Sequence, residues 1–108
     1  MKETISYENF AKLDLRTAII EKVEDIKGAD KLYKLSLDLA GEKRTICAGI
    51  KKFYKKEELK GKIIIIVANL EQRKMRGILS EGMLLAAEGN KPILLTTFEK
   101  VESGLEIH

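Results

Sequence analysis

A regular alternation of apolar and polar residues near the middle of the chain is the feature that most limits its fold. The apolar members are Tyr33, Leu35, Leu37 and Leu39, and the residues between them are Lys34, Ser36, Asp38 and Ala40. Successive side chains of a β-strand point to opposite faces, so a period of two brings the four apolar side chains together. The segment therefore predicts a half-buried strand, which needs neighbouring strands and a core to cover.

Further strands are predicted on both sides of this one. Residues 40–43 have turn chemistry, and residues 45–48 should return antiparallel as the second strand of a hairpin. The remaining predicted strands are residues 13 to about 23, 63–68, 82–87 and 93–97. Ser6 is expected to cap a helical turn that places Phe10 against the barrel. Residues 51–61 are expected to form a loop or a short helix that ends at Gly61.

This order of elements predicts an all-β fold. About five short strands without βαβ alternation favour a small closed or partly closed barrel. The five-stranded Greek-key barrel called the OB-fold has this strand count, with a short N-terminal helix and a C-terminal extension added here. An SH3-like barrel is the alternative, and periodicity does not separate the two.

The size and the single cysteine limit the class of protein further. A chain of 108 residues is expected to be one domain, with the core barrel at about residues 10–87 and an extension at residues 88–108. Cys47 permits no internal disulfide, which fits a reducing compartment, and we interpret it as a small core thiol. The longest apolar run, residues 63–68, is too short to span a bilayer, and the N-terminus lacks a signal-peptide pattern. We expect a cytoplasmic protein without a membrane partner.

Basic charge is concentrated in one third of the chain. Residues 43–76 contain eleven Lys or Arg and three acids, a balance of +8, whereas the rest contains nine against fourteen, or −5, which gives the net +3. A contiguous basic region is typical of proteins that bind polyanions. The alternative is a solvated lysine-rich face.

Residues 69–82 carry most of the candidate site. They lie between two apolar runs and are longer than a strand connection requires, so we expect a loop that binds a negatively charged partner. Arg73, Lys74 and Arg76 are expected to neutralise phosphates. Asn69 and Ser80 are candidates for bonds to sugar hydroxyls or bases, although an Asn here is as often a turn former.

The neighbours of these residues are expected to shape the loop and the core. Gly77 allows close approach of the backbone or a positive φ. Glu81 is expected to fix the loop by pairing with Arg76, with a bond to a base amino group as the alternative. Met83 is expected in the core, with a place on the base-facing surface as the alternative.

A second cluster interleaves lysines with aromatic rings. Residues 51–56 place four ammonium groups around Phe53 and Tyr54, a composition that suits stacking on unpaired bases. The alternative is that Tyr54 packs under the loop and the lysines are solvated. From this cluster Lys51, Lys52 and Phe53 are candidate contacts. Lys34 and Arg44, on the predicted hairpin, would extend the positive face, whereas Arg16 beside Asp14 is equally consistent with a structural role.

Catalytic and metal-binding patterns do not occur in the sequence. Its one histidine is the terminal His108, and there is no Gly-rich phosphate loop, no Ser/His/acid set and no metal-ligand spacing. We therefore predict a non-catalytic binding module that uses no cofactor.

Several spaced motifs resemble one known family. They are Asp14-Leu15-Arg16, Ala29-Asp30-Lys31-Leu32-Tyr33, Ile46 with Gly49, Asn69-Leu70, Arg73-Lys74-Met75-Arg76-Gly77 and Ser80-Glu81-Gly82-Met83-Leu84-Leu85-Ala86. In this order they resemble the tRNA-binding domain family, whose OB-fold modules occur at the C-terminus of methionyl-tRNA synthetases and as their stand-alone β subunits. The chain departs from the family pattern at Lys27-Gly28, where His-Pro is usual, and at Gln72 and Ala48, where Pro and Ser are usual.

The resemblance implies a function and partners. It implies recognition of tRNA structure with little sequence preference, in trans to a methionyl-tRNA synthetase catalytic subunit. It also implies a homodimer built around N-terminal residues and the segment after the last barrel strand. Phe98 and other apolar residues of the extension are candidates, although they would equally cover the open end of the barrel. The resemblance leaves one alternative, an export-related chaperone that binds unfolded polypeptide. Sequence-neutral binding of single-stranded DNA is a weaker third possibility.

Overall fold

The computed structural model describes all 108 residues, and most of its regular secondary structure is β-strand. The two short helices are α1 (Tyr7–Phe10) and α2 (Lys56–Leu59). The strands are β1 (Leu15–Ile26), β2 (Ala29–Leu39), β3 (Glu42–Ala48), β4 (Ile63–Val67), β5 (Arg73–Met75), β6 (Ile78–Ser80), β7 (Met83–Leu84), β8 (Ala86–Glu88), β9 (Pro92–Leu94) and β10 (Glu106–Ile107). The predicted all-β class and the N-terminal helix are confirmed.

The main sheet has the strand order β3-β2-β1-β4-β7, and β10 adds to the N-terminal half of β1. All of these pairs are antiparallel. β1 pairs with β4 over residues 15–19 and with β2 from Ile19 onward, and its register with β2 shifts between Ile20 and Lys22. Such a bulge bends a strand and increases its twist, so one long strand can serve both halves of a curled sheet.

The alternation in β2 has the predicted consequence for the core. Leu35 and Leu37 are completely buried, and Ile46 of β3 and Ile66 of β4 meet them inside the barrel with no exposed surface. Leu59 of α2 is 2% exposed and packs against the same cluster. The short helix therefore covers the core, and Gly61 ends it with a φ of +84°, as predicted.

The barrel is not closed by a continuous backbone ladder. At the seam between β3 and the end of β6, the backbone N–H of Glu81 donates to the Thr45 carbonyl at 2.8 Å, and two side chains accept bonds from the backbone of β3. The Glu81 carboxylate accepts from the Thr45 N–H at 3.1 Å, and the Ser80 hydroxyl accepts from the Cys47 N–H at 3.0 Å. Side chains thus take the place of strand pairing along this seam.

Three sequence expectations about strands and core need correction. The predicted strand at residues 82–87 is interrupted at Leu85, giving β7 in the main sheet and β8, which pairs with β9. Met83 is 47% exposed instead of buried. Its neighbour Leu84 packs against the core, and adjacent residues of a strand face opposite sides. Cys47 is only half-buried for the same reason, since it lies between the buried Ile46 and Ala48.

The C-terminal segment is held to the start of the barrel by a buried hydroxyl. The Thr17 side chain is completely buried, and it donates to the Glu102 carbonyl and accepts from the Leu105 N–H, each at 2.9 Å. Gly104 lies so close to Ala40 that an added Cβ would be 2.4 Å from the alanine Cβ. Residues 102–107 are therefore part of the packed fold. The structure contains no helix long and apolar enough to cross a membrane.

Candidate nucleic-acid interface

The basic segment folds as a hairpin of its own and not as an irregular loop. β5 and β6 form a separate two-stranded antiparallel sheet in which Met75 pairs with Ile78. The two residues between them, Arg76 and Gly77, have φ values of +53° and +82°. Positive φ at both positions is the requirement of a type I′ turn, which matches the twist of a two-residue hairpin. We call residues 73–80 the basic hairpin.

The register divides the basic residues between two faces of the hairpin. Arg73 pairs with Ser80, and Lys74 pairs with Leu79. Ser80 is 4% exposed and its hydroxyl bonds to β3, so its face of the hairpin looks toward the barrel. Because paired residues share a face, Arg73 lies on this inner face and Lys74 lies on the outer one. Arg76 is at the tip.

The three cations of the basic hairpin are free to bind an anion. Arg73, Lys74 and Arg76 are exposed, and none of the eight ion pairs in the structure includes them. Exposed guanidinium and ammonium groups keep their full donor capacity for phosphate oxygens. The expected pair between Glu81 and Arg76 does not form, because the Glu81 carboxylate bonds to the Thr45 N–H.

Asn69 and Ser80, two polar candidates, are engaged inside the protein. The Asn69 side chain accepts from the Asp14 N–H at 2.9 Å and donates to the Lys12 carbonyl at 2.7 Å. The Ser80 hydroxyl, besides accepting from Cys47, donates to the Gly82 carbonyl at 3.3 Å. These groups position the two ends of the segment that carries the cations.

The other basic candidates differ in whether they already have an acidic partner. Arg44 pairs with Glu42 and also donates to the carbonyls of Ala68 and Glu81. Lys34 lies 4.0 Å from Glu24, and Lys51 lies 3.1 Å from Asp25. Lys52 is exposed and has no ion pair within 4 Å. Of these four candidates, Lys52 is the one that carries an uncompensated charge.

Asp25 neutralises part of the lysine cluster. The Lys56 ammonium donates to Asp25 Oδ2 at 3.0 Å, and the Lys51 ammonium lies 3.1 Å from Asp25 Oδ1. The hydrogen bonds from Lys56 and then Lys51 lower the pKa of Asp25, and the same contact raises the pKa of Lys56. The positive potential of residues 51–56 is therefore weaker than the sequence suggests.

The two aromatic rings of this cluster have different surroundings. The Tyr54 hydroxyl donates to the Pro92 carbonyl at 2.7 Å, its ring packs on the core, and Lys91 lies 4.5 Å above the ring. Phe53 is 44% exposed. Tyr54 packs under the loop, as the alternative expected, but Lys51 and Lys56 pair with Asp25 instead of being only solvated. Phe53 is left as the one ring open to a base. Arg16 has the structural role, because it pairs with Asp14 at 2.6 Å and donates to the Gly104 carbonyl.

The structure also brings together residues that the sequence did not place in one site. A cleft between the inner face of the basic hairpin and β3 is lined by Leu70, Gln72, Met83 and other residues. Leu70 and Met83 are 43% and 47% exposed. The one signal in the sequence was an apolar Leu70 at the start of an otherwise polar segment.

The comparisons with known proteins agree on one family. Residues 15–106 match the family described as "Putative tRNA binding domain". The methionine-tRNA ligase of Pyrococcus furiosus is 50% identical over 104 residues, which are 95% of this chain and 14% of that enzyme. Among solved structures, a MetRS related protein from Pyrococcus horikoshii superposes with a TM-score of 0.92 at 37% identity, covering 99% of this chain and 100% of that one. The CsaA chaperone protein from Picrophilus torridus superposes with a TM-score of 0.88 at 36% identity, covering 97% and 100%.

Proposed function

The chain belongs to the tRNA-binding domain family, and from that premise we propose that the basic hairpin binds the phosphate backbone of tRNA. One observation carries this proposal: the three hairpin cations are exposed, have no acidic partner, and project from the barrel on a separate two-stranded sheet. Phosphate contacts fix orientation on a nucleic acid and carry little sequence information. Binding of this kind recognises the shape of the tRNA.

The arrangement of the cations suggests how the backbone is held. Arg76 at the tip offers a planar fork for two phosphate oxygens, and Lys74 on the outer face offers a mobile point charge. Arg73 on the inner face serves a different stretch of backbone, because its side of the hairpin faces the barrel. Lys52 and Phe53 extend the surface with a further charge and a ring. Asn69, Ser80 and Arg44 hold the hairpin and its flanks in place.

A binding assay tests the proposal. Lys74→Ala combined with Arg76→Ala should weaken binding of all tRNAs by a similar factor, on the order of tenfold or more at low salt. Thermal stability should remain unchanged, because both side chains are exposed and make no ion pair. Lys100→Ala is the matched control, an exposed lysine without an ion pair outside the basic third of the chain. Equal affinities of the double variant and the wild type would place the site elsewhere.

We propose that the module acts without catalysis of its own, in the cytoplasm, and in trans to a methionyl-tRNA synthetase catalytic subunit. The chain spans about 14% of the length of the P. furiosus methionine-tRNA ligase that it matches, and it resembles a MetRS related protein along that protein's whole length. Adding the chain to a catalytic subunit should lower the KM for tRNA and leave the KM for methionine unchanged. A KM for tRNA that does not respond would refute this partnership.

We propose that two copies form a dimer through apolar residues near the chain ends. Those left exposed are Met1, Ile5, Tyr7, Leu13, Ile93, Leu95, Phe98 and Leu105. Others, such as Leu94, pack against the core and so cover the barrel's own end. The Phe98 ring has no cover within one chain, which is unusual for a phenylalanine. Phe98→Glu should shift the sedimentation mass from two chains to one, and a wild-type mass of one chain at micromolar concentration would refute the dimer.

The second candidate function is binding of unfolded polypeptide. Its support is the likeness to the CsaA chaperone protein together with the exposed apolar side chains. The uncompensated hairpin cations favour RNA, because they would repel basic client segments. Competition between tRNA, unstructured RNA and an unfolded polypeptide separates the two functions. If the chain binds tRNA, tRNA should displace the polypeptide from the wild type but not from the double hairpin variant.

A further inference from the structure

The cleft beside the basic hairpin has the size and lining of a small-ligand pocket. Its volume is about 500 Å³, within the range of roughly 300–1,000 Å³ typical of such sites. Leu70, Met75 and Met83 provide apolar surface, and Cys47 faces it from β3. Leu70 and Met83 keep nearly half of their surface exposed although the barrel core lies close by. Exposed apolar surface in a concave site beside uncompensated cations indicates a ligand-binding site.

The charges around the cleft define what enters it. Arg73 and Glu71 both line it without forming an ion pair, so the lining carries no net charge, and the amide of Gln72 supplies one donor group and one acceptor group. The two other hairpin cations lie on the outer face and at the tip, away from the lining. A phosphate would meet the Glu71 carboxylate inside the cleft. The cleft therefore favours an uncharged group with polar edges, attached to a charged chain that runs outside.

We propose that the cleft holds one unpaired nucleobase of the bound RNA, with the flanking phosphates against the basic hairpin. A base has two apolar faces and a rim of donors and acceptors. Met83 and Leu70 would contact a face, and Gln72 and Glu71 would bond the edge. This inference rests on the proposed function, because the hairpin must first bind the backbone. It adds that the protein requires an unpaired nucleotide and does not read the outline of the tRNA alone.

The test compares two RNAs that differ only in whether the central nucleotides carry their bases. The probes are a single-stranded RNA of about ten nucleotides, within the site size of OB-folds, and the same RNA with abasic residues at its centre. Both carry the same phosphates. The wild type should bind the intact RNA about tenfold more tightly, the magnitude of one stacked base. Met83→Ala should bring the ratio of the two affinities to within about twofold.

A control variant is available on the opposite face of the same hairpin. Leu79 is 46% exposed and Met83 is 47% exposed, but Leu79 pairs with the outward-facing Lys74 and does not line the cleft. Leu79→Ala should therefore leave the tenfold ratio unchanged. Cys47 gives a second readout, since it is the one thiol of the chain and faces the cleft. Intact RNA should slow its reaction with a maleimide, and abasic RNA should not.

The outcomes separate this inference from the proposed function. Equal wild-type affinity for intact and abasic RNA, with tRNA binding still lost in the double hairpin variant, overturns the base site and leaves the backbone grip standing. The same ratio in Met83→Ala as in the wild type also overturns it. No binding of any RNA refutes the proposed function itself. An uncharged unfolded peptide that protects Cys47 while RNA does not would assign the cleft to polypeptide.

Discussion

The substitution Asn69→Ala tests whether Asn69 contacts RNA or instead holds the segment before the basic hairpin in place. Its amide makes two hydrogen bonds to the backbone of residues more than fifty positions away, one from the Asp14 N–H and one to the Lys12 carbonyl. Asn69→Ala removes both. A net contribution of about 0.5–1 kcal/mol for each partly exposed bond gives a loss of about 1–2 kcal/mol in the free energy of unfolding. For a domain of this size the loss lowers the Tm by about 5–10 °C.

Differential scanning calorimetry and a tRNA-binding titration at one temperature well below the Tm measure the two effects. Asn90→Ala is the matched control, because Asn90 is an exposed Asn that makes no side-chain hydrogen bond. It should change the Tm by less than about 2 °C. We expect Asn69→Ala to lower the Tm and to change tRNA affinity by less than about twofold. An unchanged Tm with weakened binding would show that Asn69 contacts RNA and that our assignment is wrong.

Three further predictions follow from the packing and the charges. Gly104→Ala should destabilise the fold by more than about 2 kcal/mol in urea unfolding, because its Cβ would strike Ala40, whereas Gly28→Ala, with a similar φ and open space, should lose only about 1 kcal/mol. Hydrogen bonds from Lys56 and then Lys51 lower the pKa of Asp25 in the folded state. The contribution of Asp25 to stability is therefore complete at a pH above its unfolded pKa near 3.8, and it is lost as the pH falls through its lower folded pKa. Asp25→Asn should therefore reduce the loss of stability on acidification, and an unchanged acid limb would contradict this. If the hairpin cations and Lys52 neutralise four phosphates, log affinity for tRNA should fall with log salt with a slope of about −3, and the double hairpin variant should reduce its magnitude by about 1.5. A slope near zero would refute the electrostatic grip.

The strands of the core were predictable because their side chains obey a simple period. The alternation in β2 and the apolar run of β4 gave strands within a few residues of their observed bounds, and Ser6 capped the predicted helix by accepting from the Asn9 N–H. Burial in these elements follows from which face of the strand a residue occupies. The weaker patterns after residue 82 gave wrong boundaries, because short edge strands are set by their partners and not by their own sequence.

The sequence identifies the basic residues of the candidate site but not their geometry or their partners. The run of Arg73, Lys74 and Arg76 identified the cations, but three-residue strands are too short to reveal their pairing through periodicity. The two-residue turn at Arg76 and Gly77 sets the register, which sends two neighbouring cations to opposite faces. The bond between Ser80 and β3 then determines which face looks toward the barrel. Partners distant in the chain also decided which candidates were already paired. Lys51 looks as basic in sequence as Lys74, and only the fold brings Asp25 to it. Arg44 differs, because its partner Glu42 lies two residues away on the same face of β3.

The separate pairing of β5 with β6 has a consequence for the reach of the protein. The strands bond to each other and join the barrel at their base, through Ser80 and the residues next to it. Insertion of two residues into each strand would move the tip outward by about 7 Å, and because the period is two, every existing side chain would keep its face. The packing of the barrel core would not change. Related chains can therefore adjust how far the tip extends over an RNA by altering hairpin length alone.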